Sequence, residues 1–209
     1  EFAGHLPAVC AATPAPPLTI GLDADAPTDL HLHTLLDEPP EAPVRNADVD
    51  YDDPCWFFFT SGTTGRPKAA VLTHGQMGFV VTNHLADLMP GREAERDASL
   101  VVAPLSHGAG IHLLVQFARA VTSVLADPRR FDGSEIWALI ERHRITNLFT
   151  VPTIVNMMID HPAVDAHDHS SLRHLIYAGA PMYREDQKRA LRKLGPVLGP
   201  YHPVIAENV

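Results

Sequence analysis

Cysteine is scarce in this chain: 209 residues hold two, Cys10 and Cys55. They sit in unrelated contexts without the C-x-x-C spacing of a metal or redox site, so both are read as reduced, buried thiols. Basic residues are also few, 16 Lys and Arg against 25 Asp and Glu, for a formal net charge of -9. General nucleic-acid binding rests on a basic face that displaces counterions, so that class is excluded and any phosphate ligand must be held locally. Long apolar runs are missing too. No stretch approaches the length of a membrane span, and the N-terminus lacks the basic region and apolar run of a signal peptide. A soluble, cytoplasmic protein is expected. There is no initiator Met before Glu1-Phe2-Ala3-Gly4, so the numbered chain need not begin where translation begins.

What is present is enough apolar material for a core, 45% hydrophobic against 20% charged residues, which indicates one domain or a large piece of one. Residues 1–53 read as an acidic, Pro-rich connection, partly ordered, as in Ala12-Thr13-Pro14-Ala15-Pro16-Pro17 and Asp37-Glu38-Pro39-Pro40-Glu41. Within it, Leu18 to Ile20 suggests a short strand and Leu32 to Leu36 a short helix. After Pro54 the character changes. Cys55-Trp56-Phe57-Phe58-Phe59 is a continuous aromatic run of strand length, the pattern of a strand buried on both faces.

Downstream, strands and helices alternate. Thr73 is a plausible N-cap for a helix with Met77, Val80, Val81, Leu85 and Leu88 on one face, ended by Pro90-Gly91. Ser99 to Ala103 reads as a strand, Ile111 to Ala118 as a helix and Val121 to Leu125 as a strand. Asp132, with Glu135 three residues on, opens a helix carrying Ile136, Leu139 and Ile140 inward. Asn147 to Val151 is the next strand, Pro152 starts a helix to about Ile159, His174 to Ala178 is a strand, and Arg184 to Leu194 is a basic helix closed by Gly195. The order predicts an α/β fold, a largely parallel sheet with flanking helices.

Thr60-Ser61-Gly62-Thr63-Thr64-Gly65-Arg66-Pro67-Lys68 follows the aromatic strand directly. Glycines let backbone N–H groups turn towards an anion, hydroxyls add donors, and Lys68 adds a mobile positive charge. That combination suits a polyphosphate; the plainer alternative is a polar turn between two strands. It is not a Walker A loop, because Gly65 is followed by Arg66-Pro67 before the Lys, so a P-loop ATPase or kinase is excluded.

Phe59 to Lys68, followed by Val71-Leu72-Thr73-His74, resembles the signature loop of the adenylate-forming superfamily of acyl-CoA synthetases, peptide-synthetase adenylation domains and luciferases. The resemblance implies part of the N-terminal domain of the acyl-CoA synthetase-like fold, with residues 54–209 as a partial AMP-binding domain. It implies that Thr60, Ser61, Gly62, Thr63, Thr64, Gly65 and Lys68 hold the ATP phosphates while a carboxylate attacks the α-phosphorus and pyrophosphate leaves. Ala69 stands where a Gly usually follows the Lys, a change that is tolerated unless the backbone there needs positive φ. Ala103-Pro104-Leu105-Ser106-His107-Gly108-Ala109-Gly110 is similar to the family's second core motif, which makes His107, with Gly108, the candidate beside the acid's carboxylate. Its alternative is a loop histidine capping backbone groups. Tyr177-Ala178-Gly179-Ala180-Pro181-Met182 is similar to the segment lining the adenine pocket, so Gly179, Ala180 and Pro181 are adenine candidates. Thr150-Val151-Pro152-Thr153 resembles a wall of the acyl pocket. Lys68 and His107 are the catalytic candidates.

The resemblance further implies ATP with its Mg²⁺ and CoA as co-substrate in the activation of a fatty or aromatic acid. A carrier protein is the acceptor in one alternative, and a non-catalytic nucleotide-binding module is the other. It spans about residues 53–198, and complete relatives are more than twice as long, so a truncated chain with little activity and poor solubility is expected. Neither Tyr201 nor Glu207 has the neighbours of the family's Mg²⁺-binding Tyr-Gly-x-Thr-Glu segment. No protein metal site is expected: His161, His167 and His169, near Asp165 and Asp168, lack metal-site spacing and read as a solvated loop. The basic face of Arg184, Lys188, Arg189, Arg192 and Lys193 reads as solvated surface.

Overall fold

The strand–helix alternation read from the sequence is present from residue 98 to residue 194 of a computed structural model, which describes residues 3–37, 45–60, 66–89, 96–127 and 129–195. The chain divides into two units, Glu1–Asp48 and Val49–Val209. In the first, a 3-10 turn leads into α1 (Leu6–Ala12), followed by β1 (Ile20–Gly21), β2 (Leu30–His31) and α2 (Leu32–Asp37). β1 and β2 pair in parallel. The Asp29 carboxylate accepts from both the backbone N–H and the hydroxyl of Thr19, at 2.8 and 2.7 Å. The strand and helix expected near residues 20 and 32 are found. The helix at α1 was not anticipated from the Ala- and Pro-rich sequence.

The second unit begins with an antiparallel hairpin, β3 (Pro54–Thr60) and β4 (Lys68–Thr73). α3 (His74–Asn83) follows, and a π-turn over His84–Leu88 continues it. Then come β5 (Ala98–Val101), α4 (Gly108–Ala118), β6 (Thr122–Leu125), α5 (Gly133–His143), β7 (Asn147–Thr150), α6 (Pro152–Asp160), β8 (His174–Tyr177) and α7 (Arg184–Leu194). The four later strands form one all-parallel sheet in the order β6-β5-β7-β8. Pro152 opens α6, and Asp132 caps α5 by accepting from the N–H groups of Ser134 and Glu135, as their positions in the sequence imply.

The two faces of this sheet differ. Leu100, Leu148 and Leu175 stand in register and enter the main core with Trp137, Ile140, Val155, Met158 and Ala190 from α5, α6 and α7. The Trp137 indole N–H donates to the Met158 carbonyl at 3.0 Å, so the largest core side chain leaves no unmet donor. On the opposite face Phe149 and Ile176 pack with Val115 of α4 and Met89. Beside them Ser99, Asn147 and His174 form a polar row in register across β5, β7 and β8.

Three expectations are corrected. The aromatic run is not buried on both faces: Phe57 and Phe59 are 50% and 72% exposed, while Trp56 and Phe58, stacked with centroids 5.2 Å apart, point inward. Alternation governs: successive side chains of a strand point to opposite faces, and those of Cys55, Phe57 and Phe59 are the exposed set. The cysteines are free but not buried, Cys10 being half-buried and Cys55 exposed. The helix after Thr73 does not run regularly to Leu88: it widens at His84, where the Met89 N–H donates to the His84 carbonyl at 3.0 Å, five residues back as a π-turn requires. Met77 is buried as expected, but Val80 is exposed.

Candidate functional site

The strands that flank residues 61–65 end opposite each other, with Thr60 in register with Lys68. Ser61, Gly62, Thr63, Thr64 and Gly65 themselves lie outside the described residues, as does the Thr60 side chain. Lys68 is exposed at the first position of β4, and Ala69 pairs with Phe59 in extended backbone. Among the described residues, those other than Gly with positive φ are Ala120 and Arg144, so the methyl group of Ala69 meets no conformational objection.

The helix that follows this hairpin has its N-terminus closed. Four N–H groups of a helix start lack intrahelical partners, and in α3 all four are satisfied. The Thr73 N–H donates to the Gln76 side chain at 2.9 Å, and the Gln76 N–H donates back to the Thr73 hydroxyl at 3.2 Å. The His74 N–H donates to the Asp53 carbonyl at 3.0 Å and the Gly75 N–H to the Tyr51 carbonyl at 2.8 Å. The chain at 50–53 thus straps the first turn, with the Tyr51 ring where a Cβ on Gly75 would be, about 2.2 Å away. A Walker loop delivers phosphate to an open helix N-terminus; the terminus of α3 is closed. Gly75 looked ordinary in the sequence; nothing local pairs it with a tyrosine 24 positions upstream.

His107 is the N-cap residue of α4, at the close of the turn that follows β5. Its backbone N–H donates to the Pro104 carbonyl at 3.2 Å, and its carbonyl accepts from the Gly110 N–H at 2.8 Å. The imidazole makes no capping bond and is exposed, so the capping alternative does not hold. Two glycines let this turn approach its neighbours. A Cβ on Gly108 would lie 3.0 Å from the Phe149 ring, and one on Gly110 would lie 2.1 Å from the Leu105 carbonyl oxygen and 2.6 Å from the Trp56 indole. The G-x-G spacing at a helix start was the available signal for this close approach. An apolar cleft of about 350 Å³ flanks the turn, bounded by Val102, Pro104, Leu105 and Leu125. Asp127 on its rim is held by Arg129, whose guanidinium donates to both carboxylate oxygens at 2.9 and 2.8 Å and draws the carboxyl pKa down to about 2.

After β8 the chain turns through Gly179 at φ 86°, a left-handed conformation that glycine adopts without strain. Ala178 donates its N–H to the Thr150 carbonyl at 3.2 Å, and a Cβ on Gly179 would meet Val151 at 3.6 Å. Gly179, Ala180 and Pro181 are exposed, while the buried Met182 pins the segment and its carbonyl accepts from the Gln187 amide at 3.1 Å. His107–Gly108, Val151–Pro152 and Gly179–Pro181 therefore all lie just beyond the C-terminal ends of adjacent parallel strands, where open α/β sheets bind ligands.

The histidines discounted as ligands have other partners. The His161 ring accepts from the Ala163 N–H, His167 pairs with Glu141 at 2.7 Å, and His169 packs on Trp137. The basic residues of α7 are partly engaged in ion pairs, Lys188 with Glu185, Arg189 with Asp160 and Asp186, and Lys193 with Asp165. Tyr201 and Glu207 lie outside the described residues. No helix among the described residues is long and apolar enough to cross a membrane.

Residues 4–202 match the family described as AMP-binding enzyme. Among curated proteins, the chain is 38% identical over 148 residues to a feruloyl-CoA synthase of Amycolatopsis sp, covering 70% of this chain and 28% of that protein. It is 31% identical over 160 residues to 4-coumarate-CoA ligase 1 of Narcissus pseudonarcissus, covering 76% and 29%. Among solved structures, the amide bond synthetase McbA from Marinactinospora thermotolerans superimposes with a TM-score of 0.75 at 26% identity, covering 93% of this chain and 37% of that one. The chain thus spans less than a third of the length of these curated relatives. With the family match running through nearly all of its length, and the fold shared with a solved relative, the chain belongs to the AMP-binding enzyme family.

Proposed function

We propose that this chain is the phosphate- and acid-binding part of an enzyme that uses ATP to activate a carboxylic acid as its acyl-adenylate and then transfers the acyl group to CoA. A carboxylate oxygen bonds to the α-phosphorus as the bond to the β-phosphate breaks and pyrophosphate leaves. The CoA thiol then attacks the acyl carbon and AMP leaves. Lys68 and the hydroxyls and amides of residues 60–65 neutralise charge on the departing phosphates. His107 stands beside the acid's carboxylate, Gly108 leaves room for the acid, and Gly179 to Pro181 offer exposed backbone to adenine. Mg²⁺ travels with the ATP, bound chiefly by its phosphates, and screens their charge.

The observation that carries this reading is the pairing of a Lys-terminated hairpin with a closed α3 N-terminus, in a chain whose other candidate residues line one edge of a parallel sheet. The names of the relatives, a feruloyl-CoA synthase and a 4-coumarate-CoA ligase, favour an aromatic acid over a fatty one and CoA over a carrier protein.

Titration calorimetry of the 209-residue chain with ATP and Mg²⁺ tests the grip. A charge-assisted contact contributes roughly 1.5–3 kcal/mol, so Lys68→Ala is expected to weaken binding about 10- to 100-fold. Absence of binding to the unaltered chain would leave a non-catalytic remnant and remove the proposal.

A further inference from the structure

The face of the sheet beneath α4 carries a feature that nucleotide or acid binding does not use. Ser99, Asn147 and His174 lie in register across three strands, and His112 of α4 descends onto that row. The His112 ring is buried. Its Nε2 lies 2.9 Å from the Asn147 Oδ1, 3.1 Å from the Gln116 amide nitrogen and 3.4 Å from the Ser99 hydroxyl, and its Nδ1 lies 3.2 Å from the Nε2 of buried His84. The Asn147 oxygen only accepts and the Gln116 amide nitrogen only donates, so neighbours of both kinds meet at Nε2. In either neutral tautomer a single N–H lies between the His112 Nδ1 and the His84 Nε2 and joins the two rings. His84 is the first residue of the π-turn, so this one bond joins α4 to the widened end of α3.

We propose that the His84–His112 pair is a proton-sensitive latch: neutral, it holds α4 and the His107–Gly108 turn against the sheet and the π-turn, and protonation in mildly acidic solution releases them. With both rings protonated, two N–H groups would face each other across 3.2 Å, and a proton on His112 would place an imidazolium in a dry core. Among the described residues, the groups that face His112 include no carboxylate. From β5 comes Ser99, from β7 Asn147 and Phe149, from α4 itself Gln116, and the titratable neighbours acting on it are two further bases, His84 of the π-turn and His174 of β8. Asp97, two residues before Ser99, is engaged by Arg119 and Arg173. Burial foremost, then His84, draws the His112 pKa down to about 3.

The sign follows. An imidazole whose pKa is depressed in the closed form and about 6.5 when released favours release as pH falls between those values, about tenfold per pH unit. Hydrogen exchange of the 209-residue chain, corrected for intrinsic rates, reads this directly. Protection of the α4 amides is expected to fall about tenfold per pH unit from about pH 6 to about pH 4, while α5 amides on the other face of the sheet change less. In His112→Gln, which supplies an amide hydrogen-bonding group in place of the imidazole and cannot titrate there, the α4 trend should flatten. If that variant does not fold, ¹⁵N spectra of the native histidines decide: in the protected form His112 should remain neutral at about pH 5, below the ordinary imidazole pKa of about 6.5. PH-independent α4 protection, an equal loss in α5, or a His112 that titrates near 6.5 with α4 still protected would overturn the latch.

Discussion

Gly110 and Trp56 meet so closely that a side chain on the glycine would have nowhere to go: its Cβ would lie 2.6 Å from the indole and 2.1 Å from the Leu105 carbonyl oxygen. The indole could swing aside, but the carbonyl belongs to the turn that carries His107. Gly110→Ala is therefore expected to cost about 1–3 kcal/mol, the range for overpacking a filled site. Urea unfolding of the two proteins, compared at equal denaturant slope, measures it; equal midpoints would mean that the turn shifts freely.

Asp97 is a buried carboxylate, its side chain 2% exposed, that pairs with Arg119 at 3.2 Å and with Arg173. It ties the start of β5 to the end of α4 and the start of β8. Removing one member of such a group leaves the other charges uncompensated. Asp97→Ala should destabilise the fold by about 3 kcal/mol, whereas Asp127→Ala should change stability little because Arg129, its partner, is 86% exposed. Thermal melts of both variants at one pH make the comparison.

Phe57 and Phe59 project from the open face of the hairpin, beside Val71 and in line with exposed Cys55. A flat, apolar strand face invites pairing with another chain. Replacing both phenylalanines with threonine, which keeps strand propensity while shedding apolar area, should lower light scattering at a given concentration. Circular dichroism should stay unchanged. More aggregation would show that these rings are needed by the fold.

Local signals were the legible part of this structure. α7 runs from Arg184 to Leu194 as its pattern indicates, and Pro152, Asp132 and Thr73 open helices where their chemistry favours it. Such caps act within a few residues, so one sequence contains their cause. The outward face of the aromatic run was illegible, because five consecutive apolar residues look the same whether one face or both are covered. The His112 network was illegible for a different reason: its partners Ser99 and Asn147 are 13 and 35 positions away, and only the sheet register aligns them. Of the candidate site, the turns at His107 and Gly179 could be read from sequence. The glycine contacts that seat the first of them against Trp56 and Phe149 could not.

The strap over α3 sets a practical limit on shortening this molecule. A polypeptide starting at Pro54 would retain the whole hairpin but strip the carbonyls of Tyr51 and Asp53 from the His74 and Gly75 amides, opening a helix terminus that the intact chain keeps sealed. Such a trimmed protein could then capture anions at a place the parent never offers, and its phosphate affinity would report an artefact of the cut. Starting at Val49 keeps the seal.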